Sequence, residues 1–292
     1  MQLNDLLRAV DVDPKKTLVL RHRPSEASFR KALPLLAGER LDLFEAYQSY
    51  QGEQVEQAFN KRRDGWLASF IEYETGKAVF VGIYRVNGAT TISPEEFWAR
   101  PEQSELTALG NPGWREDEGR DTRLLFDLER TEHYEDWRGK LVIGWPLVRI
   151  WYRRAYETPL PVIAIREDSV FAGEIPSWDQ VDYSWAELKI LPTRMKSALE
   201  QWRGIYLIWD ESDGAAYVGS AYGNANILGR WTGYAATGHG GNKLLRKRDP
   251  SRFRFSILQR VSPDMDRDDV IRLEASWKLR LHTRSGFGLN EN

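Results

Sequence analysis

Between residues 203 and 221 two short runs, RGIYLIW (203–209) and AAYVGSA (215–221), flank the acidic, glycine-containing segment DESDG. Runs this short, rich in β-branched and aromatic residues, read as strands, and a brief reversal carrying a glycine pairs them as an antiparallel hairpin. Around that hairpin the rest of the C-terminal region falls into place. ILGRWTGYAAT (227–237) reads as a helix despite two glycines, GHGGNK as a backbone-exposing loop and RFRFSIL (252–258) as a third strand. DRDDVIRLEASWKLRLHTR (266–284) is the clearest helix, with acidic residues in its first turn and basic ones in its last, which complements the helix dipole. The expectation for residues 196–292 is a small three-stranded antiparallel sheet flanked by helices.

A chain of 292 residues exceeds one average domain and suits two. The first 60 residues read as helical, with apolar positions three and four apart through EASFRKALPLLAGERLDLFEAYQSYQGEQVEQAF and breaks near Pro34 and Gly38. KAVFVGIYRV (77–86), GKLVIGWPLVRIWY (139–152) and LPVIAIRE (160–167) read as strands, and NPGWREDEGRDTR (111–123) as a polar loop. Residues 168–200, mixing prolines with short helical patterns, read as a connection. The fold class is α+β throughout: a mixed N-terminal domain over 1–195 with helices and a mainly antiparallel, barrel-like sheet, then the C-terminal domain.

Apolar and charged fractions of 41% and 29% belong to a folded chain and exclude disorder. The N-terminus lacks the pattern of a signal peptide, and no segment approaches the roughly 20 apolar residues of a membrane helix, so a cytoplasmic location without membrane attachment is the expectation. With no cysteine there is no disulfide, zinc finger or thiol nucleophile, and the four histidines, His22, His133, His239 and His282, are scattered without metal-ligand spacing. A bound metal would be held by oxygen, which favours magnesium-like ions. Residues 201–292 carry 14 Lys and Arg against 10 Asp and Glu, whereas residues 1–200 carry 27 against 33. The basic C-terminal third suits a polyanion partner and equally a solvated surface.

Glu274 is the carboxylate to weigh first. On its helix Val270, Leu273, Trp277 and Leu281 form the core-facing stripe, and Glu274 lies four residues from Val270 and three from Trp277, aimed toward the buried side. It reads either as a stripe-edge partner of Lys278 or as a metal ligand. Tyr206 and Tyr217 read either as cross-strand packing residues or as parts of a site. With Arg230 and Asn290 these residue types suit hydrolysis of a phosphodiester, which needs an activated water, a guanidinium on the developing phosphate charge and an ion at the leaving oxygen.

GIY at 204–206 and YVG at 217–219, followed by Arg230 in GRW, Tyr234, Glu274 on a long helix and Asn290 in GLN, resemble the motif series of the GIY-YIG endonucleases. GHGGNK resembles the glycine-rich segment of restriction-type members. The resemblance covers residues 203–292. A second GIY, at Gly82–Tyr84, lacks the accompanying motifs and reads as ordinary strand. The resemblance implies hydrolysis assisted by one divalent ion, Mg2+ or Mn2+, bound by Glu274. Tyr206, or else Tyr217, would be the general base, its phenol lowered from about 10 by Arg230 and the metal. Tyr234 stands where some relatives have histidine and could share that role. Arg230 would stabilise the pentacovalent phosphate, and Asn290 would orient the metal site or a backbone segment while lying where chain ends fray. In KLLRKRDPSRFR (243–254), Lys243, Arg246, Lys247 and Arg248 are candidates for phosphate contacts, or else a solvated basic face.

The acidic N-terminal domain holds eight tryptophans, Trp66, Trp98, Trp114, Trp137, Trp145, Trp151, Trp178 and Trp185. FVGIYRVNG and WRGKLVIGW faintly resemble strands of PUA-like barrels, which implies a reader that stacks a modified base among aromatics; the alternative places these rings in the core. Three functions are open on this sequence: a metal-dependent endonuclease of restriction type acting on double-stranded DNA, with a homodimer on DNA one way to cut both strands and modified cytosine one way to choose the target; a repair or mobile-element nuclease that recognises DNA structure; and a non-cutting nucleic-acid-binding protein.

Overall fold

The computed structural model describes residues 1–60, 65–115, 119–147 and 150–291. The chain forms two compact units, Met1–Ala172 and Gly173–Asn292. The division therefore falls ahead of residue 195, and residues 173–195 build into the second unit. No helix among the described residues is long and apolar enough to cross a membrane. Both units are α+β.

In the first unit the helices are α1 (Leu3–Ala9), α2 (Ala27–Glu39), α3 (Leu41–Gln48), α4 (Glu53–Asn60), α5 (Pro94–Trp98) and α6 (Pro101–Ala108). The strands are β1 (Thr17–His22), β2 (Gly65–Glu74), β3 (Lys77–Ile92), β4 (Arg123–Arg130), β5 (Leu141–Gly144), β6 (Tyr152–Arg154) and β7 (Val162–Ile165). They pair in the order β6-β1-β2-β3-β5-β7, with β4 alongside β3.

TLVLRH corrects the expectation of an all-helical start. It is a strand buried at every position, parallel to β2 and antiparallel to β6. Its two faces explain the unbroken apolar run: Val19 packs with Phe70, Phe80 and Trp145, while Leu18 and Leu20 pack with Val55 and Phe59 of α4. The helical break expected at Pro34 and Gly38 also lies elsewhere, because α2 runs through both and ends at Arg40, whose φ of −135° and ψ of 61° leave the helical region. GKLVIGWPLVRIWY is likewise two strands rather than one, β5 and β6; residues 148 and 149, like 116–118 of the polar loop, lie outside the described residues. The sheet is mainly antiparallel as expected, but its path runs from β6 to β7 with no described pairing that joins its ends. These hydrogen bonds do not describe a closed PUA-like barrel.

The second unit contains β8 (Asp182–Ser184), α7 (Trp185–Lys189), α8 (Thr193–Gln201), β9 (Arg203–Asp210), β10 (Ala216–Ala221), α9 (Asn226–Thr237), β11 (Phe253–Val261) and α10 (Arg267–Arg280). The sheet is antiparallel with four strands, in the order β10-β9-β11-β8, and not three. β8 comes from the segment expected to be a connection. Strand alternation assigns the two faces. Tyr206 and Ile208 join Met195, Leu199, Ile227 and Trp231 on the side of α8 and α9, whereas Ile205, Val218 and Val261 meet Val270 of α10 on the other. Leu281, expected in the core stripe, caps α10 and is exposed. Trp178 and Trp185 pack against this unit's core, so two of the eight tryptophans belong outside the first unit.

Candidate active site

The two glycines of GIY and YVG have separate steric causes. Tyr206 stands opposite Gly219 in the β9–β10 ladder, and a Cβ at Gly219 would lie 2.4 Å from the Tyr206 Oη. The tyrosine ring lies over the glycine, filling the space a side chain would take. At Gly204 a Cβ would lie 2.1 Å from the Gln259 carbonyl, beside the register shift between Ile257 and Gln259 that brings β11 close.

Three phenols then meet on the α9 side of the hairpin. Ring centroids are 6.4 Å apart for Tyr206 and Tyr217, 6.1 Å for Tyr206 and Tyr234, and 6.4 Å for Tyr217 and Tyr234. The Tyr206 and Tyr234 hydroxyls are hydrogen-bonded at 3.2 Å. Tyr206 and Tyr234 are buried, while Tyr217 is half-buried. Burial, reinforced by the Tyr217 phenol, pushes Tyr206 far above the ordinary phenol range, and Arg230 offsets this only in part. Burial does the same to Tyr234, followed by the neighbouring phenols. The lowering expected of Tyr206 is thus reversed in the free protein.

Glu274 reaches the same edge from α10. Its Oε2 accepts a hydrogen bond from the Ser220 hydroxyl of β10, and its Oε1 pairs with the Lys278 Nζ at 2.8 Å. On the other side of Ser220, the Arg230 Nε of α9 donates to the Ser220 carbonyl at 3.3 Å, with the side chain otherwise open to solvent. Both Arg230 and Glu274 act electrostatically on the Tyr206 phenol. Tyr206, Tyr217, Arg230, Tyr234 and Glu274 therefore form one neighbourhood about edge strand β10. Ser220, which ties the carboxylate and the guanidinium to one residue, does not stand out in the sequence; its place directly after YVG is the signal that could have marked it.

Asn290 is a clamp. Its Oδ1 accepts from the Val218 N–H at 2.9 Å, its Nδ2 donates to the Val218 carbonyl at 2.8 Å, and its own N–H donates to the Thr283 carbonyl at 2.8 Å. Buried and bonded through both amide atoms, it fixes the backbone between Tyr217 and Gly219 rather than fraying. Among the basic candidates, Arg246 and Lys247 are exposed, and Lys243 is exposed beside Glu291 at 3.7 Å. Arg248 differs. Its guanidinium binds Asp210 at 2.7 Å and Asp213 at 2.8 Å, bracing the hairpin turn. A cleft of about 820 Å3 lies at that turn, lined by Asp213, Lys247, Phe287 and neighbours but by none of the five clustered residues.

Among the described residues no three acidic or histidine side chains gather as a metal cage. Glu274 is the carboxylate at the cluster, and an ion of the magnesium class, which keeps several waters and shares its shell with substrate phosphate, fits a single protein carboxylate. It would take the place that the Lys278 ammonium holds.

No family model matches the sequence, and neither does any curated protein. Among solved structures, the catalytic domain of the homing endonuclease I-TevI matches with 25% sequence identity over 31% of this chain and 98% of that chain, at a TM-score of 0.27. A TM-score that low does not establish a shared fold, and the functional reading rests on the residues about β10.

Proposed function

We propose that the second unit is a GIY-YIG-type endonuclease that hydrolyses phosphodiester bonds of double-stranded DNA, of restriction type and directed against foreign DNA. The observation that supports the reading is the meeting of three phenols, a guanidinium and a carboxylate at one sheet edge, with Asn290 holding the backbone directly after Tyr217. That set supplies each group an in-line hydrolysis needs.

Tyr217 is the base in this scheme, because it is the phenol with solvent access, while Tyr206 and Tyr234 are buried and held protonated. Tyr206 then orients the cluster through its hydroxyl contact with Tyr234. Arg230, whose guanidinium faces solvent beside Ser220, takes the charge that develops on the phosphate. Glu274 holds Mg2+ or Mn2+, which supplies Lewis-acid stabilisation of the leaving oxygen when bound. Arg246 and Lys247 contact backbone phosphates and set register without reading sequence. A single site cuts one strand, so a double-strand break takes a transient homodimer or two successive nicks. Target choice falls to the first unit, through 5-methyl- or 5-hydroxymethylcytosine.

The test is cleavage of matched plasmids, unmodified and carrying each modified cytosine, and of a branched duplex, with and without magnesium, using Glu274→Ala as the blank. Magnesium-dependent cutting that the variant loses upholds the nuclease, and cutting confined to modified plasmids upholds modification dependence. Intact plasmids of every kind with wild-type protein would overturn the reading in favour of a binding protein, whereas preference for branched DNA would place it with repair enzymes.

A further inference from the structure

Glu274 and Lys278 project from successive turns of α10, with the glutamate four residues ahead of the lysine, the order that suits an ion pair on a helix. This is not a surface pair, because the two side chains are only 17% and 13% exposed. The helix that carries them is fixed against the sheet. Val270 packs with Ile205 and Val218, and the Trp277 Nε1 donates to the Gln259 Oε1 of β11 at 3.0 Å. The Glu274 carboxylate is therefore held from two sides, by the Ser220 hydroxyl on Oε2 and by the Lys278 ammonium on Oε1 at 2.8 Å.

Those two contacts act in opposite ways on a divalent ion. A hydroxyl that donates to one carboxylate oxygen orients the group and leaves its charge available to a ligand of the other oxygen. An ammonium on that other oxygen fills the place of an ion and cancels the charge that would attract one. The surroundings add to the effect. Lys278 and Arg230 are two cations, one on the Glu274 carboxylate and one on the Ser220 carbonyl, so the groups joined through Ser220 carry a positive excess before an ion arrives.

We propose that Lys278 is a built-in competitor for the divalent ion at Glu274, and that Ser220 is the positioning residue that keeps the carboxylate in place when the ammonium gives way. The inference rests on the reading of Glu274 as an ion-binding carboxylate. Lys278 carries its charge on a flexible four-carbon stem, which lets the ammonium leave for solvent without moving α10. Glu274 meanwhile stays anchored on Ser220. The divalent concentration at which the site fills is thus set by a residue that neither touches the phenols nor serves as an ion ligand.

The test is Mn2+ binding to the full-length protein without DNA, read from loss of the free-ion electron paramagnetic resonance signal. Glu274→Ala is the blank for ions held elsewhere. At the Glu274-dependent site, Lys278→Met should bind about 10-fold more tightly than wild type, and Lys278→Arg, which keeps the charge, should stay within about threefold of it. Ser220→Ala should move the other way, binding about 10-fold more weakly, as loss of a partner that orients an ion ligand does. Lys278→Gln, neutral but polar, repeats the first comparison should the methionine variant fail to fold. Unchanged or weaker binding in the neutral variants, beside a Glu274-dependent site in wild type, would overturn the inference and leave the nuclease reading standing. Absence of Glu274-dependent binding from every protein would overturn the inference and the ion-binding role of Glu274 together. Tighter binding by Lys278→Met in a protein that cuts nothing would uphold the competitor and remove the nuclease.

Discussion

Tyr206 and Tyr217 differ in exposure, and that difference assigns their chemistry. If Tyr217 is the base, Tyr217→Phe should lower cleavage by about 100-fold or more, the range of general-base removal, while Tyr206→Phe should cost less than about 10-fold. Single-turnover cleavage of both variants checks this, and equal losses would contradict the assignment. Gly219→Ala should be destabilising by about 1–3 kcal/mol, because the new methyl meets the Tyr206 ring with no room to relax; urea unfolding of the variant measures it. His22 offers a pH test. Its folded value of about 4 lies below the unfolded value of about 6.5, so the unfolded chain binds the proton first as pH falls. Its contribution is present above pH 6.5 and is lost between there and pH 4, by up to about 3 kcal/mol at this site. His22→Leu should flatten stability against pH in that window, and an unchanged slope would show that His22 is not the group responsible.

Elements, more than residues, decide which basic side chains can meet DNA. The KLLRKRDPSRFR segment is continuous in sequence, yet its fold splits it: Arg248 turns back onto Asp210 and Asp213, while Arg246 and Lys247 point out. Arg246→Ala and Lys247→Ala should weaken binding with little change in stability and reduce the slope of log affinity against log salt by about 0.9 each. Arg248→Ala should instead lower stability, since it leaves the buried Asp210 carboxylate without its cation. Anisotropy titrations across salt, beside thermal melts, separate the two. The elements also differ in how legible they are in the sequence. β9, β10, α9, β11 and α10 lie within a few residues of where the sequence places them, because each is a local pattern closed by its own turn or cap. β1 and β8 escape a sequence reading for the opposite reason. TLVLRH lies among helical patterns and becomes a strand only because β2 and β6, from distant parts of the chain, supply its hydrogen bonds. The three residues of β8 have no pattern to read and are a strand only beside β11.

At the scale of the whole molecule, the chain forms two compact units, each with its own sheet. Chelation of divalent ions should stop cleavage while leaving duplex binding within about threefold, since binding rests on phosphate contacts rather than on the ion. Binding and cleavage measured in parallel with chelator check that separation. The sequence by itself determined the α+β class, the hairpin with its glycine turn, the long C-terminal helix, the absence of cysteine and with it of disulfides and thiol chemistry, and the order of the candidate residues along the chain; all of these come from composition or from local spacing. The tertiary structure decided the rest. It ran the break between units at residue 172, left the N-terminal sheet without a described closure, buried Tyr206 and Tyr234 while leaving Tyr217 half-buried, and joined Glu274 to Arg230 through Ser220. The physical reason is common to all of them. Burial, pairing partners and the field at a titrating group depend on segments far apart in the chain, so they exist only once those segments have packed.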